Sequence, residues 1–336
     1  MPSWPMSLNF IVPPHSVRFG FGGTLEPHAY LERLGAFMGA AEQVGLTGAF
    51  VYDFPVALDP WLAAFDVLAG STALEPIVAV RPQQESAESV ARRVADLGYR
   101  FQRPTHVNLV AGATRSSRAD DLGDKIAARA AMARFAEQLQ AELTRRSDPA
   151  VGRSLLLTPS SSTPGLVPAD CVLMMARPRP LLAESVERAR KEQKVERISM
   201  LVGIVARDTE EEAWEAAARL SEPDRRQQIA GRLFMSQVVS SEHAASYGLA
   251  EERELHDELL WYGAPARGID APKLVGSVAQ VAAWLGSTRE LGVTDVIIDL
   301  PNDAAEYAFT GRVLQACASA TGPSSTGPEA VTPPGE

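Results

Sequence analysis

Short apolar runs alternate with amphipathic stretches along most of the chain. Leu8 to Val12 predicts a strand, and Pro27 to Val44 predicts a helix with Leu31, Leu34, Met38 and Ala41 on one face. Gly45 and Gly48 end that helix, and Ala49 to Asp53 is the next strand. The scheme continues with a short helix at Pro60 to Ala69, a strand at Pro76 to Val80, a helix at Ser86 to Tyr99 and a strand at His106 to Ala111. A loop over Gly112 to Gly123 leads to a helix from Asp124 to Arg145, with Met132, Phe135, Leu139 and Leu143 as its buried stripe. Strands are predicted at Ser154 to Thr158, Cys171 to Met175 and Ile198 to Ala206, and a charged helix at Arg179 to Gln193. Asp208 and Thr209 cap a helix running to Leu220, with acids in its first turn where they suit the helix dipole. Ser277 to Leu291 is helical, Asp295 to Leu300 is a strand, and Asp303 to Ala318 is the last helix.

Eight strands, nearly all followed by a helix, imply a parallel sheet covered by helices. In one α/β chain of this length they favour a single closed (β/α)8 TIM barrel over an open doubly wound sheet. No G-x-G-x-x-G follows the first strand, which also argues against a dinucleotide fold. Two segments lie outside the scheme: a late insertion over Ser221 to Val275 with helical patches, and a Pro/Gly/Ser/Thr-rich tail from Thr321 to Glu336 that is expected to be disordered. The barrel unit is thus expected over residues 1–320, with the insertion at 221–275 and the tail at 321–336.

The 336 residues carry a formal net charge of −10, without the basic clusters that release phosphate counterions, so a general nucleic-acid binder is excluded. No apolar run reaches a membrane span and the N-terminus has no signal-peptide pattern, so a cytoplasmic, non-membrane protein is expected. Cys171 and Cys317 sit in apolar segments and read as reduced, buried thiols. His15, His28, His106, His243 and His256 lack metal-ligand spacing, so no metal is expected. No P-loop or G-x-S-x-G elbow occurs.

Several stretches resemble the bacterial luciferase-like flavin monooxygenases, especially the alkanesulfonate monooxygenase branch. They are Met6 to Phe10 with Pro14-His15, Ala40 to Gly48, Asp59-Pro60-Trp61, Ile77 to Pro82, Val107 to Gly112, Val205 to Thr209 with Glu212-Ala213-Trp214, Leu260-Trp261, Arg267-Gly268, Leu274-Val275-Gly276 and Leu291 to Pro301. Their order and spacing cover roughly residues 6–318. The family fold is itself a (β/α)8 barrel. The resemblance implies reduced FMN delivered by a separate flavin reductase, O2 as co-substrate, a small-molecule substrate, and a homodimer paired through helices near strand two. In such an enzyme the cofactor carries the hard chemistry, and the protein orients it and excludes water.

Barrel sites gather at the C-terminal ends of the strands. The resemblance places Asn108 and Ala111 at the flavin floor on strand four, with Asn108 able to bond the flavin or simply neighbouring backbone. It places His15 after strand one and Asp53 at the end of strand two as catalytic candidates; a loop hydrogen bond and an Arg partner are their respective structural alternatives. Arg267, in the insertion, could close over a substrate or form a rim salt bridge. Arg129 aligns with a phosphate-contacting Tyr, and Ser160, Ser161 and Ser162 occupy the family's phosphate loop, although Pro164 and Pro168 oppose a full helix after it.

The departures bear on substrate. Met175 stands where the branch has a Trp, Leu201 and Gly203 where strand seven carries an Arg and a His, Leu300 where a Tyr follows strand eight, and Ala57 in place of a Cys. This pocket is expected to be apolar, and a sulfonate buried in it would be unpaired and costly. The reading is a flavin-dependent monooxygenase acting on a small, fairly apolar compound. The alternative is a catalytically degenerate barrel serving as a partner subunit or a flavin-independent binding protein.

Overall fold

A computed structural model describes residues 9–11, 27–53, 59–110, 122–160, 167–220, 241–263, 271–299 and 305–319. The strands are β1 (Asn9–Ile11), β2 (Gly48–Val51), β3 (Glu75–Val80), β4 (His106–Leu109), β5 (Leu156–Pro159), β6 (Cys171–Met175), β7 (Arg197–Arg207), β8 (Leu255–His256), β9 (Leu260–Trp261), β10 (Lys273–Ser277) and β11 (Asp295–Asp299). The helices are α1 (Pro27–Gln43), α2 (Pro60–Gly70), α3 (Ala87–Phe101), α4 (Leu122–Arg145), α5 (Arg179–Arg188), α6 (Glu210–Leu220), α7 (Ser241–Glu252), α8 (Val278–Leu291) and α9 (Ala305–Ser319).

β1 to β7 pair in sequence order, all parallel. β11 then pairs in parallel with both β7 and β1, joining Asp295–Asp299 to Ser199–Gly203 and Ile297–Ile298 to Asn9–Phe10. The eight strands predicted from the apolar runs therefore form a closed ring. Strand alternation sends one side chain in two to the lumen. Phe50, Ile77, Leu157, Cys171, Met175, Leu201 and Ile297 meet there. The opposite faces pack under the helices. Val78, Val80, Val107, Leu109 and Leu156 face α2, α3 and α4, while Val172, Met174, Ile198, Met200, Val202 and Ile298 lie in a larger cluster on the other side.

Local chemistry sets the helix ends. Asp59 accepts from the Trp61 and Leu62 amides at 2.8 and 3.1 Å, with Pro60 at the first helical position of α2. Thr209 accepts from Glu212 N–H and Glu212 returns the bond to Thr209 N–H, as the predicted cap requires. Ser277 and Gln280 form a capping box on α8, which Gly292 ends at φ 106°. In α1, Leu34, Met38 and Ala41 are buried as predicted, but Leu31 is exposed. α5 passes into a π-helical turn over Ala189–Gln193. No helix among the described residues is long and apolar enough to cross a membrane.

The insertion is more strand-like than its sequence predicts. β7 extends beyond its pairing with β11, and its second half, Gly203–Arg207, pairs in parallel with β10. β10 pairs antiparallel with β9, and β9 with β8. Asp257 and Glu258, in the turn between β8 and β9, hold φ values of 46° and 70°. The Asp257 carboxylate accepts from the Arg179 amide at 2.8 Å and from Trp284 Nε1 at 3.2 Å, tying the ribbon to the start of α5 and to α8. The two-residue strands β8 and β9 carry too little periodicity to be read from sequence. The tail at 321–336 lies outside the described residues.

Candidate active site

The two ends of the lumen are built differently. At the N-terminal end, His106 Nδ1 accepts the Leu155 amide at 3.0 Å, so its Nε2 carries the proton and donates to Glu75 at 2.9 Å. Arg197 forks onto Asp295, with Nη2–Oδ1 at 2.5 Å and Nε–Oδ2 at 3.2 Å, and Thr294 Oγ1 donates to the same carboxylate at 2.7 Å. The Cys171 thiol lies 3.2 Å from Ser199 Oγ, and burial pushes its pKa up to about 12. His106, Glu75, Arg197, Asp295, Cys171 and Ser199 line a cavity of about 560 Å³, but they are already held by hydrogen bonds to one another or to their neighbours.

At the C-terminal end the strands bring a different set together. Asp53 follows β2 and Arg81 follows β3, paired Nε to Oδ2 at 2.7 Å, and Arg81 Nη2 also donates to the Asp53 carbonyl at 2.5 Å. Asp53 has thus taken the Arg-partner alternative. Burial still raises its carboxyl above the ordinary range; Arg81 opposes this, while Glu85 and Asp59 add to it. Asn108, on β4, is 2 % exposed, and its Oδ1 is buried without a hydrogen-bond partner among the described residues. Leaving such an acceptor unmade costs about 1–3 kcal/mol, and a native fold that keeps one calls for an explanation. Met175 ends β6, and its sulfur accepts from Ser246 Oγ of α7 at 3.3 Å, so the insertion reaches the rim of the lumen here.

Leu201 lines the lumen as predicted. Gly203, two residues on, faces the same way, but the space it leaves is filled. A Cβ on Gly203 would lie 2.6 Å from Lys273 Nζ. Lys273, at the start of β10, pairs in register with Gly203 and reaches across it to Asp299 Oδ2 at 2.8 Å. The expectation of an apolar lining at this point is therefore corrected: a cation missing from strand seven is brought in by the insertion.

Ser160 follows β5, and its amide donates to Leu173 O at 2.8 Å, which takes that N–H away from any phosphate. Arg129 lies within α4. His15, Ala111, Ser161, Ser162, Arg267 and Leu300 lie outside the described residues. The structure thus brings Asp53, Asn108, Met175, Leu201 and Gly203 to one end of the barrel. It also brings Asp299, a candidate at the end of the last barrel strand, and adds Arg81, Lys273 and Ser246, which were not among the predicted site residues. The available signal for Lys273 was Gly203 itself, since a glycine inside a buried strand marks the close approach of another group.

No family model matches the chain. It is 24% identical over 313 residues, covering 82% of this chain and 88% of the other, to the 4-(gamma-L-glutamylamino)butanoyl-[BtrI acyl-carrier protein] monooxygenase BtrO of Niallia circulans. Among solved structures it is similar to the EDTA monooxygenase EmoA from Chelativorans sp. BNC1, with TM-score 0.65, 13% identity and 94% of each chain covered. It is also similar to the oxygenating constituent of 3,6-diketocamphane monooxygenase from Pseudomonas putida in complex with FMN, with TM-score 0.60, 11% identity, and 93% of this chain and 96% of that one covered. The coenzyme F420-dependent tetrahydromethanopterin reductase of Methanopyrus kandleri shares the fold as well, with TM-score 0.57, 12% identity, and 91% and 97% covered. The closed parallel ring is the fold that these solved structures share with the chain.

Proposed function

We propose that this protein is a flavin-dependent monooxygenase that uses reduced FMN and O2 to oxidise a small, largely apolar organic substrate at the C-terminal mouth of its barrel. The observation that carries the reading is the unpartnered Oδ1 of Asn108, an acceptor kept dry where barrel sites form. It suits a ring N–H of an isoalloxazine, so Asn108 would hold the flavin. Bound reduced FMN supplies the electrons that activate O2. The chain's own part is positional. Leu201, Met175 and Phe50 wall the lumen with apolar surface and exclude water, and Arg81 fixes Asp53. The sequence relative, itself named a monooxygenase, supports the same reaction class. We assign the reduced cofactor to a separate reductase. The chain is read as a homodimer, for which the exposed Leu62 and Phe65 on α2 and Leu31 on α1 offer an apolar face.

The test is an anaerobic titration of the full chain with reduced FMN, oxidised FMN and F420, followed by admission of air. Reduced FMN is expected to bind at micromolar concentration, with Asn108→Ala weakening it about tenfold, in line with a lost hydrogen bond of about 1.4 kcal/mol. Failure of either FMN form to bind at high micromolar concentration overturns the reading and favours a binding barrel. Preferential binding of F420 moves it to deazaflavin chemistry. Sedimentation showing monomer alone would remove the dimer.

A further inference from the structure

Lys273 enters the lumen from outside the eight-stranded ring. Two observations place its ammonium on the inner face. Gly203 alternates with the lumen residue Leu201, and a Cβ built on Gly203 meets Nζ at 2.6 Å. Asp299, whose Oδ2 accepts from Nζ at 2.8 Å, alternates with the lumen residue Ile297. The Lys273 side chain is only 10% exposed. An ammonium carries three N–H donors. One is used on Asp299, and the other two have no partner among the described residues.

The charge balance says which ligand those donors suit. Asp299 already neutralises the ammonium, so a neutral oxygen acceptor can take a strong, charge-assisted hydrogen bond without leaving net charge in a dry site. A carboxylate in the same place would add a second negative charge beside Asp299, and an uncompensated buried charge is costly. The apolar walls at Leu201 and Met175 would accommodate the remainder of such a molecule.

We infer that Lys273, held by Asp299 across Gly203, is a substrate-binding residue that recognises the carbonyl oxygen of a neutral compound with an apolar body, and discriminates against the corresponding acid. The inference deepens the function proposed above by naming the substrate class. It rests on the mouth being the ligand site, and not on which flavin occupies it.

Calorimetric titration of the full chain with octanamide and with octanoate, in the presence and absence of FMN, tests it. The wild type is expected to bind octanamide at least tenfold more tightly than octanoate. Lys273→Met should weaken octanamide at least tenfold. Asp299→Asn preserves an acceptor for Nζ and removes the competing charge, so it should reverse the preference in favour of octanoate. A purely structural ion pair predicts otherwise: both variants would lower thermal stability and leave the amide-to-acid ratio unchanged. An unchanged ratio in folded Asp299→Asn, confirmed by near-ultraviolet circular dichroism, overturns the inference. So does the absence of octanamide binding to the wild type. FMN binding is followed in the same samples by flavin fluorescence. Flavin bound without the amide defeats this inference alone, and the amide bound without flavin defeats the monooxygenase reading alone.

Discussion

The two ends of one lumen make different use of buried polar groups. At the N-terminal end His106, Glu75, Arg197, Asp295 and Thr294 bond one another across four strands and a strand entry. At the C-terminal end Asn108 keeps an unused acceptor, and Lys273 spends a single donor on Asp299. A satisfied network rigidifies a fold, whereas a partly satisfied one stays costly until something completes it. The first end is therefore built for stability, and the second is the end we propose for the ligand, where barrel sites usually form.

On this contrast the largest stability loss lies at the N-terminal end. Asp295→Ala strips Arg197 of its fork and Thr294 of an acceptor. The expected cost is about 2 kcal/mol, below the full value for a wholly buried pair because the Arg197 side chain is 41% exposed. Urea denaturation measures it, and flavin affinity of the folded protein should not change. A midpoint equal to wild type would show that the network is ornamental.

Gly203→Ala probes the other end. Its methyl would collide with the Lys273 ammonium, the movable end of a flexible side chain, so a loss of about 1 kcal/mol by overpacking is expected. Octanamide affinity should fall with it, because Nζ must move. A drop in melting temperature without any change in ligand affinity would make the contact structural only.

Asp53 gives a pH signature. Its folded carboxyl titrates above the ordinary value, chiefly through burial, so the native chain holds this proton more tightly than the unfolded chain. From about pH 4, where a free Asp releases its proton, up to the raised folded value, this group's contribution to stability is lost as pH rises. Asp53→Asn removes the effect, so its stability should decline less across that window than wild type's. Identical pH profiles, from urea midpoints at several pH values, would contradict the assignment.

The smallest expected effect is chemical. With its thiol pushed up to about 12 and only 2% exposure, Cys171 should resist iodoacetamide at pH 8 while the protein is folded. Mass spectrometry reads the adduct. Rapid labelling would mean that the N-terminal end opens.

Much of the scaffold was legible in advance. Parallel strands buried on both faces read as continuous apolar runs, and all eight barrel strands were found this way, as was the stripe of Met132, Phe135 and Leu139 on α4. The site was legible only by position. Asn108 was singled out by resemblance, but its orphaned oxygen is a fact of packing. Asp53 was a candidate base, and only the geometry showed Arg81 holding it. Leu201 and Gly203 were read together as apolar lining, which holds for Leu201 alone.

The order of strands, the helices between them and the inward face of each strand follow from local patterning, because a period of two or of 3.6 is written in consecutive residues. The ring closure, with Asp295 beside Ser199 and Ile297 beside Asn9, required the fold. So did the meeting of Lys273 with Asp299 over Gly203. Charge and hydrogen bonding act through space, between residues that no sequence period connects.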